Sequence, residues 1–484
     1  MLYWSESNWQ KELSRSVWQC RLFKSPYAAK LERLKLQKVF RYIFETIVVS
    51  AIVQAWLLPF AVVYFHRISL ASIFLNVPVG ALMAIESLTA IIGVLVAQIS
   101  EILAAPFIWI TEILNWLILK VTILFISQDW SSLRIPHYAE NLKLIYFLYF
   151  IPIIALTFLL LKWSPFALKT QVQNSKLKIR LAMAIFLFFL SFIIFHPFSA
   201  PNPDGKLHID FLDVGQGDSA LITLPTGETL LIDGGGKANF NKLYVQRDGE
   251  EPEPFEPDVQ NIGETVVSNF LWEKGYDKVD YLLPTHADTD HIQGLTDVAR
   301  NFEIKSAIVA RNPLQDEDFA DFNKILERKS ILLTLVKQGD VMTFGEVKIE
   351  VLSPETNENP SADWDNNHSI VLRLIYGETK FLLTGDIEKE AERKLLQMPE
   401  ILQANVVKVA HHGSKTSSTQ EFINATKAKL AVISVGKTSP FGHPHEEVVE
   451  RWQDSGAKIM TTGEKGTVTI SSDGKTISVK TFQK

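Results

Sequence analysis

The densest group of reactive side chains in the sequence follows a short apolar stretch. Residues 281–294 read YLLPTHADTDHIQG, and six consecutive positions of this segment hold His286, Asp288, Asp290 and His291. Imidazoles and carboxylates packed this closely would desolvate and repel one another unless a cation lay between them. The end of a strand can direct alternate side chains toward one point. The spacing therefore predicts a metal centre.

Three further polar clusters also follow apolar stretches. Asp386 ends the segment FLLTGD, His411 and His412 follow a strand predicted over 406–410, and His443 lies in the loop FGHP. Each alone has another explanation, namely an aspartate that caps a helix, a surface histidine pair or a histidine in a turn. Because all of them come directly after a predicted strand or in a loop, we expect them to meet the 286–291 cluster.

A glycine turn, Gly215–Asp218, separates two strands predicted over 206–214 and 219–224. Its carboxylate could approach a metal centre, or the turn could simply be a hairpin loop. The sequence alone favours the hairpin loop.

Charge divides the chain into two parts. Residues 1–200 carry a net charge of +9 and residues 201–484 carry −15, which together give the net charge of −6. Cys20 is the single cysteine, which excludes a disulfide framework or a cysteine-based zinc site within one chain. Any metal must therefore be held by histidines and carboxylates.

The basic part of the chain has the pattern of a membrane domain. Residues 1–42 form a basic segment, and residues 43–197 contain five apolar runs, near 43–65, 70–98, 102–127, 143–161 and 181–197. Most of these runs approach the roughly 20 residues that span a bilayer. Lysines and arginines favour the cytoplasmic side, and they concentrate in residues 1–42 and 162–180. Five spans then place residue 198 outside.

The acidic part reads as a soluble domain. A Pro/Asn/Gly-rich linker at 198–205 precedes a domain at 206–484, where strand-like and helix-like stretches alternate. This order predicts two packed sheets with helices outside them. An acidic, proline-rich insertion at 237–262 is interpreted as a solvated loop.

Several segments resemble a known family. FLDVGQGDSALI, LLIDGG, HADTDHIQG, NNHSIVL, FLLTGD, VAHHGSKTSS and FGHP resemble the metallo-β-lactamase fold, and more narrowly the C-terminal domain of the ComEC family of DNA-internalisation competence proteins. RYIFETIVVSAIVQAWLLPFAVVYFHRISLASIFLNVPV is similar to the later part of that family's transmembrane competence domain. The resemblance begins at about residue 20. It implies an all-α transmembrane helical segment followed by an α/β metallo-β-lactamase fold, an αββα sandwich.

The resemblance also implies a site with two divalent ions. His286 and Asp288 are expected to hold one ion, Asp290 and His291 the other, and Asp386 is expected to bridge them. His411 or His412 completes the second ion, with His411 favoured because it is closer to the strand end. Asp290 and His443 are the expected catalytic residues, and His443 would contact substrate or protonate the leaving group. Six more residues are additional site candidates: Asp213, Asp218, Asn367, His368, Ser369 and Lys415. Asp288 occupies the position of the superfamily's usual histidine, and a harder ligand favours Mn²⁺ over Zn²⁺.

The function implied by the resemblance is DNA uptake. The chain would be a multi-pass protein of the bacterial plasma (inner) membrane, and its hydrolase domain would lie on the outer face. That domain would be a deoxyribonuclease that degrades one strand, while the helices contribute to a channel for the other. The implied partners are single-stranded DNA, the membrane and other competence proteins. Family members usually carry an N-terminal oligonucleotide-binding-type domain and more spans, so a partner supplying that part is also expected.

Two alternatives stay open. One is a membrane-anchored metal-dependent phosphodiesterase that acts on a phosphate ester other than DNA. The other is a non-catalytic channel or scaffold subunit. The complete set of ligand types in the sequence speaks against the second alternative, whereas the net charge of −15 does not favour tight binding of DNA.

Overall fold

The computed structural model describes residues 37–126, 128–138, 140–161, 172–236, 261–355 and 363–483. The chain divides into two compact units, Met1–Ser199 and Ala200–Lys484. Three features discussed above lie largely or wholly outside the described residues. They are the basic N-terminal segment with Cys20, the first part of the basic loop at 162–180, and the acidic insertion at 237–262, of which only 261 and 262 are described.

In the described part of the first unit there are five long helices, as predicted. They are α1 (Gln37–Phe65), α2 (Ala71–Ala97), α3 (Glu101–Ile126), α4 (Leu144–Leu161) and α5 (Val172–Phe195). By length and composition, all five are able to cross a membrane. Two short strands, β1 (Arg67–Ser69) and β2 (Ser132–Arg134), pair antiparallel between them.

Packing within the first unit leaves much apolar surface exposed. Helices α2 and α3 are joined by three residues and lie side by side, and their Thr89 and Thr111 hydroxyl oxygens are 3.0 Å apart. Helices α1, α4 and α5 share a small core that includes Val62, Tyr149 and Ile193, all fully buried. Elsewhere large apolar side chains face outward, an arrangement that is typical of a surface in contact with lipid.

The second unit contains two mixed sheets. The strands of the first sheet are, in spatial order, β17 (Ile477–Thr481), β16 (Val468–Ser472), β3 (Leu207–Phe211), β4 (Ala220–Thr223), β5 (Thr229–Ile232), β6 (Lys278–Leu283), β7 (Glu303–Val309) and β8 (Leu332–Leu335). The strands of the second sheet are, in spatial order, β15 (Lys458–Thr461), β14 (Leu430–Ile433), β13 (Val406–Lys408), β12 (Thr379–Leu383), β11 (Val371–Tyr376), β10 (Val347–Ser353) and β9 (Val341–Phe344).

Both sheets combine an antiparallel block with a parallel block. Strands β5 to β8 run parallel in the first sheet, and strands β12 to β15 run parallel in the second. Every residue of β5, β13 and β14 is buried, as expected for strands covered on both faces. In the antiparallel block of the first sheet, β3 from the beginning of the unit pairs with β16 from its end.

Helices cover the outer faces of the two sheets. A π-helical turn, Gly263–Ser268, leads into α6 (Asn269–Glu273), and the remaining helices are α7 (Thr289–Asn301), α8 (Glu317–Arg328), α9 (Lys389–Leu395), α10 (Gln420–Thr426), α11 (Glu446–Asp454) and α12 (Thr462–Lys465). One apolar cluster fills the space between the sheets and continues under α7 and α8. A second cluster packs the second sheet against α9, α10 and α11. This layering confirms the predicted αββα sandwich.

Candidate metal centre

The parallel strands deliver the polar clusters to one place. Carboxyl ends of neighbouring parallel strands share an edge of a sheet, so Asp233 after β5 lies beside the 286–291 segment after β6. In the second sheet, Asp386 follows β12 and His412 follows β13 in the same way. The centre is thus assembled from loops of both sheets.

The side chains of His291, His412 and Asp290 gather around the carboxylate of Asp386. The Nε2 atoms of His291 and His412 lie 3.2 and 3.3 Å from Oδ2 of Asp386. Oδ2 of Asp290 lies 3.3 Å from Nε2 of His412. His286 joins His291 and Asp386 in a further group whose ligand atoms all lie within 4.8 Å of one another. These groups have the size and composition of divalent-metal sites.

The second ring nitrogen of each histidine has its own partner. His291 Nδ1 lies 3.0 Å from Asp233 Oδ2, and His412 Nδ1 lies 3.0 Å from the Ser434 carbonyl oxygen. The Thr285 hydroxyl donates to Asp233 and lies 3.0 Å from His286 Nδ1. A hydrogen bond donated from Nδ1 leaves Nε2 as the unprotonated ligand atom, as is usual for metal-binding histidines.

Negative charge dominates the centre. Asp218, Asp233 and Asp386 are buried, and Asp290 retains only 21% of its side-chain exposure. Lys408 is the buried cation among them: its Nζ forms an ion pair with Asp218 and lies 3.3 Å from Asp386 Oδ1. Four carboxylates against one ammonium leave an excess of buried negative charge, which is costly unless further cations or protons offset it.

The excess negative charge raises the pKa of two histidines of the centre, His291 and His412. Burial alone would lower the pKa of His291, but the carboxylates of Asp386 and Asp233 outweigh it and raise the pKa well above its ordinary value. Burial would also lower the pKa of His412, but the carboxylates of Asp386 and Asp218 outweigh this effect and raise the pKa to about 10. Both imidazoles therefore lie where positive charge is favoured.

Two of the candidate ligand atoms also lack any hydrogen bond. Nε2 of His286 and Nε2 of His412 are buried without a hydrogen-bond partner among the described residues. Buried polar atoms are seldom left unsatisfied unless an ion or water completes them. The donor set, its charge and these two atoms together fit divalent metal ions.

His412, and not the favoured His411, lies at the centre. His412 is 1% exposed and joins the carboxylates, whereas His411 is partly exposed and its Nδ1 lies 3.4 Å from Glu388 Oε1. Both residues have left-handed backbone angles, with φ of 51° and 53°. This tight turn reverses the chain after β13, so the second histidine of the pair points inward. Such strained backbone is frequent at functional sites.

Asp288 and Asp290 lie on different sides of the 286–291 turn. Asp288 precedes α7 and is half exposed, with its Oδ2 3.4 Å from His286 Nε2. It belongs to none of the tighter ligand groups found among the described residues. Asp290 occupies the first turn of α7 and faces His412. Asp288 thus contacts His286 at the more exposed end of the centre, and its role as a metal ligand stays a prediction.

His443 borders the histidine group. Its ring centre lies 5.8 Å from that of His411 and 6.4 Å from that of His412. Burial, reinforced by the neighbouring His412 and His411, lowers the pKa of His443 to about 4. Its Nδ1 is buried without a hydrogen bond in the described part of the chain.

The additional candidates take supporting positions. Asp218 enters the centre, so the glycine turn is more than a hairpin loop. The Ser369 hydroxyl accepts a hydrogen bond from Asp386 N, and Asn367 Oδ1 accepts from Glu388 N. The others lie outside the ligand groups of the described residues: Asp213 Oδ1 accepts from Gly215 N, His368 pairs with Asp365, and Lys415 is exposed.

Close backbone packing fixes the turn that carries Asp218. Gly217 has φ of 120°, and a Cβ at this position would lie 2.3 Å from the Asp290 carbonyl oxygen. The same oxygen accepts a hydrogen bond from Asp218 N. Only glycine allows this approach. The turn therefore sets the position of Asp290 as well as that of Asp218.

Sequence reasoning missed two residues of the centre. Asp233 is not among the residues expected at the centre, although LLIDGG follows the same pattern of an apolar strand and a carboxylate. Lys408 is likewise not among the residues expected at the centre. It lies on a strand buried on both faces, and a lysine in such an apolar strand is itself a signal of a buried partner.

Comparison with known proteins agrees with this architecture. The competence protein family matches residues 1–163, and the metallo-beta-lactamase superfamily matches residues 212–437. ComE operon protein 3 of Bacillus subtilis is 29% identical over 437 residues, which cover 89% of this chain and 52% of that protein. Recombination protein 2 of Haemophilus influenzae is 26% identical over 310 residues, covering 62% of this chain and 33% of that protein.

One solved structure of similar fold is the metallo-beta-lactamase fold protein YhfI from Bacillus subtilis. It is 11% identical, with a TM-score of 0.32, and the match covers 52% of this chain and 95% of that one. The chain spans between about a third and a half of the length of the curated relatives named above.

Proposed function

Because the chain belongs to the ComEC family of competence proteins, we propose that its second unit is a metal-dependent nuclease acting in DNA uptake. The observation that carries the proposal is the convergence of His286, His291 and His412 with Asp386. Their Nδ1 partners turn the three Nε2 atoms inward. A metallo-β-lactamase domain with such a donor set is a metal-dependent hydrolase in general, and the nuclease activity is the proposed specialisation.

The proposed division of labour follows the two units. Residues 1–42 form a basic cytoplasmic segment, 43–197 contribute transmembrane helices to a DNA channel, 198–205 are a linker, and 206–484 form the hydrolase. The chain lies in the bacterial plasma membrane as a multi-pass protein, with the hydrolase on the outer face. In support, the five helices are long enough to span a bilayer.

Each residue of the centre has a proposed role. His286 and Asp288 would hold one ion, Asp290, His291 and His412 would hold the other, and Asp386 would be a ligand shared by the two. When bound, divalent ions supply Lewis-acid activation and neutralise charge on the attacked phosphate. Asp233 orients His291, and Lys408 offsets part of the charge of Asp218 and Asp386. His443 borders the centre, where it contacts the substrate or the leaving group. The carboxylate-rich donor set favours Mn²⁺ over Zn²⁺.

Cleavage of labelled single-stranded DNA by the full chain in detergent, with Mn²⁺ present, tests the proposal. The wild type should cut the strand, and Asp290→Asn should lose at least a hundredfold in rate. Asp321→Asn serves as the matched control, because Asp321 lies on α8 with a side chain that is 61% exposed. Failure of the wild type to bind any divalent metal would contradict every enzymatic interpretation.

A second candidate function is hydrolysis of a phosphate ester other than DNA. The net charge of −15 on residues 201–484 favours it, because DNA binding depends on lysines and arginines at the phosphates. Hydrolysis of a small phosphodiester without any cleavage of DNA, in the same experiment, would establish this candidate instead.

A further inference from the structure

A third strand of the first sheet ends at the edge that carries the metal centre. Strands β5, β6 and β7 are parallel neighbours, so their carboxyl ends lie side by side. Asp233 and the His286 segment follow the first two strands. Arg311 follows β7 after a single buried alanine. Topology therefore places Arg311 at the same edge of the sheet as the metal centre.

Arg311 lines a polar cleft. The cleft has a volume of about 160 Å³, and its polar walls include Arg311, Gln338, Glu355, Asn367, His368 and Lys394. A cavity needs roughly 10–15 Å³ to hold one water molecule, so the cleft has room for a phosphate group together with bound waters. Among the described residues that line the cleft, the charged and titratable groups are two permanent cations, one histidine and one carboxylate. This balance of charge is opposite to that of the unit as a whole.

The basic groups of the cleft have weak or incomplete partners. Arg311 Nη1 donates to the Asp363 carbonyl oxygen at 2.7 Å, while its Nε is buried without a hydrogen bond. Within the described part of the chain, Arg311 forms no ion pair with a carboxylate. Lys394 pairs with Glu390 at 3.3 Å, and both side chains are largely exposed. An exposed pair of this kind contributes little and opens readily to an incoming anion.

One wall of the cleft is also a wall of the metal centre. Ala287 N donates to the Trp364 carbonyl oxygen at 3.4 Å, and Ile370 N donates to the Thr285 carbonyl oxygen at 2.8 Å. The segment 364–370 is thereby attached to the loop that bears His286. The same segment supplies Ser369 to Asp386.

The same segment, 364–370, is also attached to the helix that bears Lys394 and forms the other wall. Asn367 Oδ1 accepts hydrogen bonds from Glu388 N and Ala391 N, at the start of α9. Lys394 lies one turn further along α9. The separation between the basic groups and the metal centre is therefore fixed by hydrogen bonds and does not depend on flexible loops alone.

We propose that this cleft binds a second phosphate group of the substrate, one that is not cleaved, through Arg311 and Lys394. The planar guanidinium group of an arginine suits the oxygens of a phosphate, and the ammonium of the lysine adds a second contact. The centre then selects a chain of phosphodiesters over an isolated ester. The inference rests on the proposed function, because it names the polyanionic chain as the substrate class of the same centre.

Two substrates separate the cleft from the metal centre. A single-stranded oligonucleotide has phosphates for both, whereas bis(p-nitrophenyl) phosphate has one phosphate and reports on the metal centre. With Mn²⁺ and the full chain, Arg311→Gln and Lys394→Gln should each lower the ratio of kcat/KM for the oligonucleotide to that for the ester by about tenfold, as for one charge-assisted hydrogen bond. The loss should appear in KM. Lys475→Gln, in the turn between β16 and β17, is the matched basic control.

A binding measurement keeps the inference testable if no hydrolysis occurs. Fluorescence anisotropy of a labelled oligonucleotide, in EDTA, should show about tenfold weaker binding for Arg311→Gln, and the salt dependence of log K should fall by about 0.7 for the lost contact. If Arg311→Gln bound the oligonucleotide more weakly but the wild type did not hydrolyse it, the nuclease proposal would be refuted and the proposed phosphate-binding cleft would be retained. Unchanged ratios and unchanged binding in both variants would refute the cleft.

Discussion

Oδ2 of Asp233 lies 3.0 Å from Nδ1 of His291, on the opposite side of the ring from the Nε2 atom that faces Asp386. The aspartate therefore fixes both the orientation and the tautomer of a candidate metal ligand. The same carboxylate accepts hydrogen bonds from the backbone N–H and the hydroxyl of Thr285, one residue before His286. One buried aspartate thus supports two candidate metal ligands, His286 and His291.

Replacing Asp233 with asparagine should weaken metal binding without removing a ligand. An amide offers a weaker acceptor to His291 Nδ1–H, and loss of such a partner typically costs 10–100-fold in metal affinity. Competition with a fluorescent chelator measures this affinity directly. Asp321→Asn should leave the affinity unchanged, and an equal loss in both variants would mean that the effect is not specific to the centre.

The two neighbouring histidines of the HHGS segment should respond very differently to substitution. His412→Asn removes a buried ligand and should lower the bound Mn²⁺ by about one ion per chain. His411→Asn alters a partly exposed side chain near Glu388 and should retain the full complement. Metal content after gel filtration distinguishes the two variants. If His411→Asn lost the ion and His412→Asn retained it, His411 would be the ligand instead.

Lys408→Met should destabilise the metal-free protein more than the metal-loaded protein. Removing one partner of a buried ion pair typically costs about 3–5 kcal/mol, because the carboxylates of Asp218 and Asp386 lose their cation. Bound metal ions would offset part of this repulsion. The test compares thermal unfolding midpoints with EDTA and with Mn²⁺. An equal drop under both conditions would show that the role of Lys408 is independent of the metal centre.

Gly217→Ala should disturb the position of Asp290. The added methyl group would meet the Asp290 carbonyl oxygen at 2.3 Å, in addition to the cost of a positive φ. Gly456→Ala is the matched control, since its φ is 84° and no atom lies within 4 Å of the added Cβ. The control should lose only the backbone cost of about 1 kcal/mol. A similar loss in the two variants, in stability and in metal affinity, would contradict the proposed contact.

Those parts of the structure that depend on local pattern could be predicted from the sequence. The five apolar helices follow from uninterrupted apolar length, and the sandwich follows from the alternation of strands and helices and from the family resemblance. The convergence of the 286–291 segment, Asp386 and the HHGS pair was predicted because each follows a strand.

The parts that depend on long-range pairing or local backbone geometry could not be predicted. The parallel neighbour relation of β5 and β6 brings Asp233 to His291 across 58 positions of sequence, and nothing in either segment specifies that pairing. The left-handed turn at His411 and His412 decides which ring points inward, and two identical residues give no sign of it. Lys408 was not expected at the centre, because a short strand does not reveal that both its faces are covered.

The neighbour relation of β3 and β16 has a mechanical consequence. Residues 200–206, at the start of the second unit, lead directly into β3, which is held by ladders on both sides, with five residue pairs to β16 and four to β4. Hydrogen bonds of these ladders run perpendicular to the strand. Tension applied along the axis of β3 must therefore shear both ladders at once and cannot open them one bond at a time. A tether attached at this strand resists pulling far better than one attached at an edge strand such as β17 or β8.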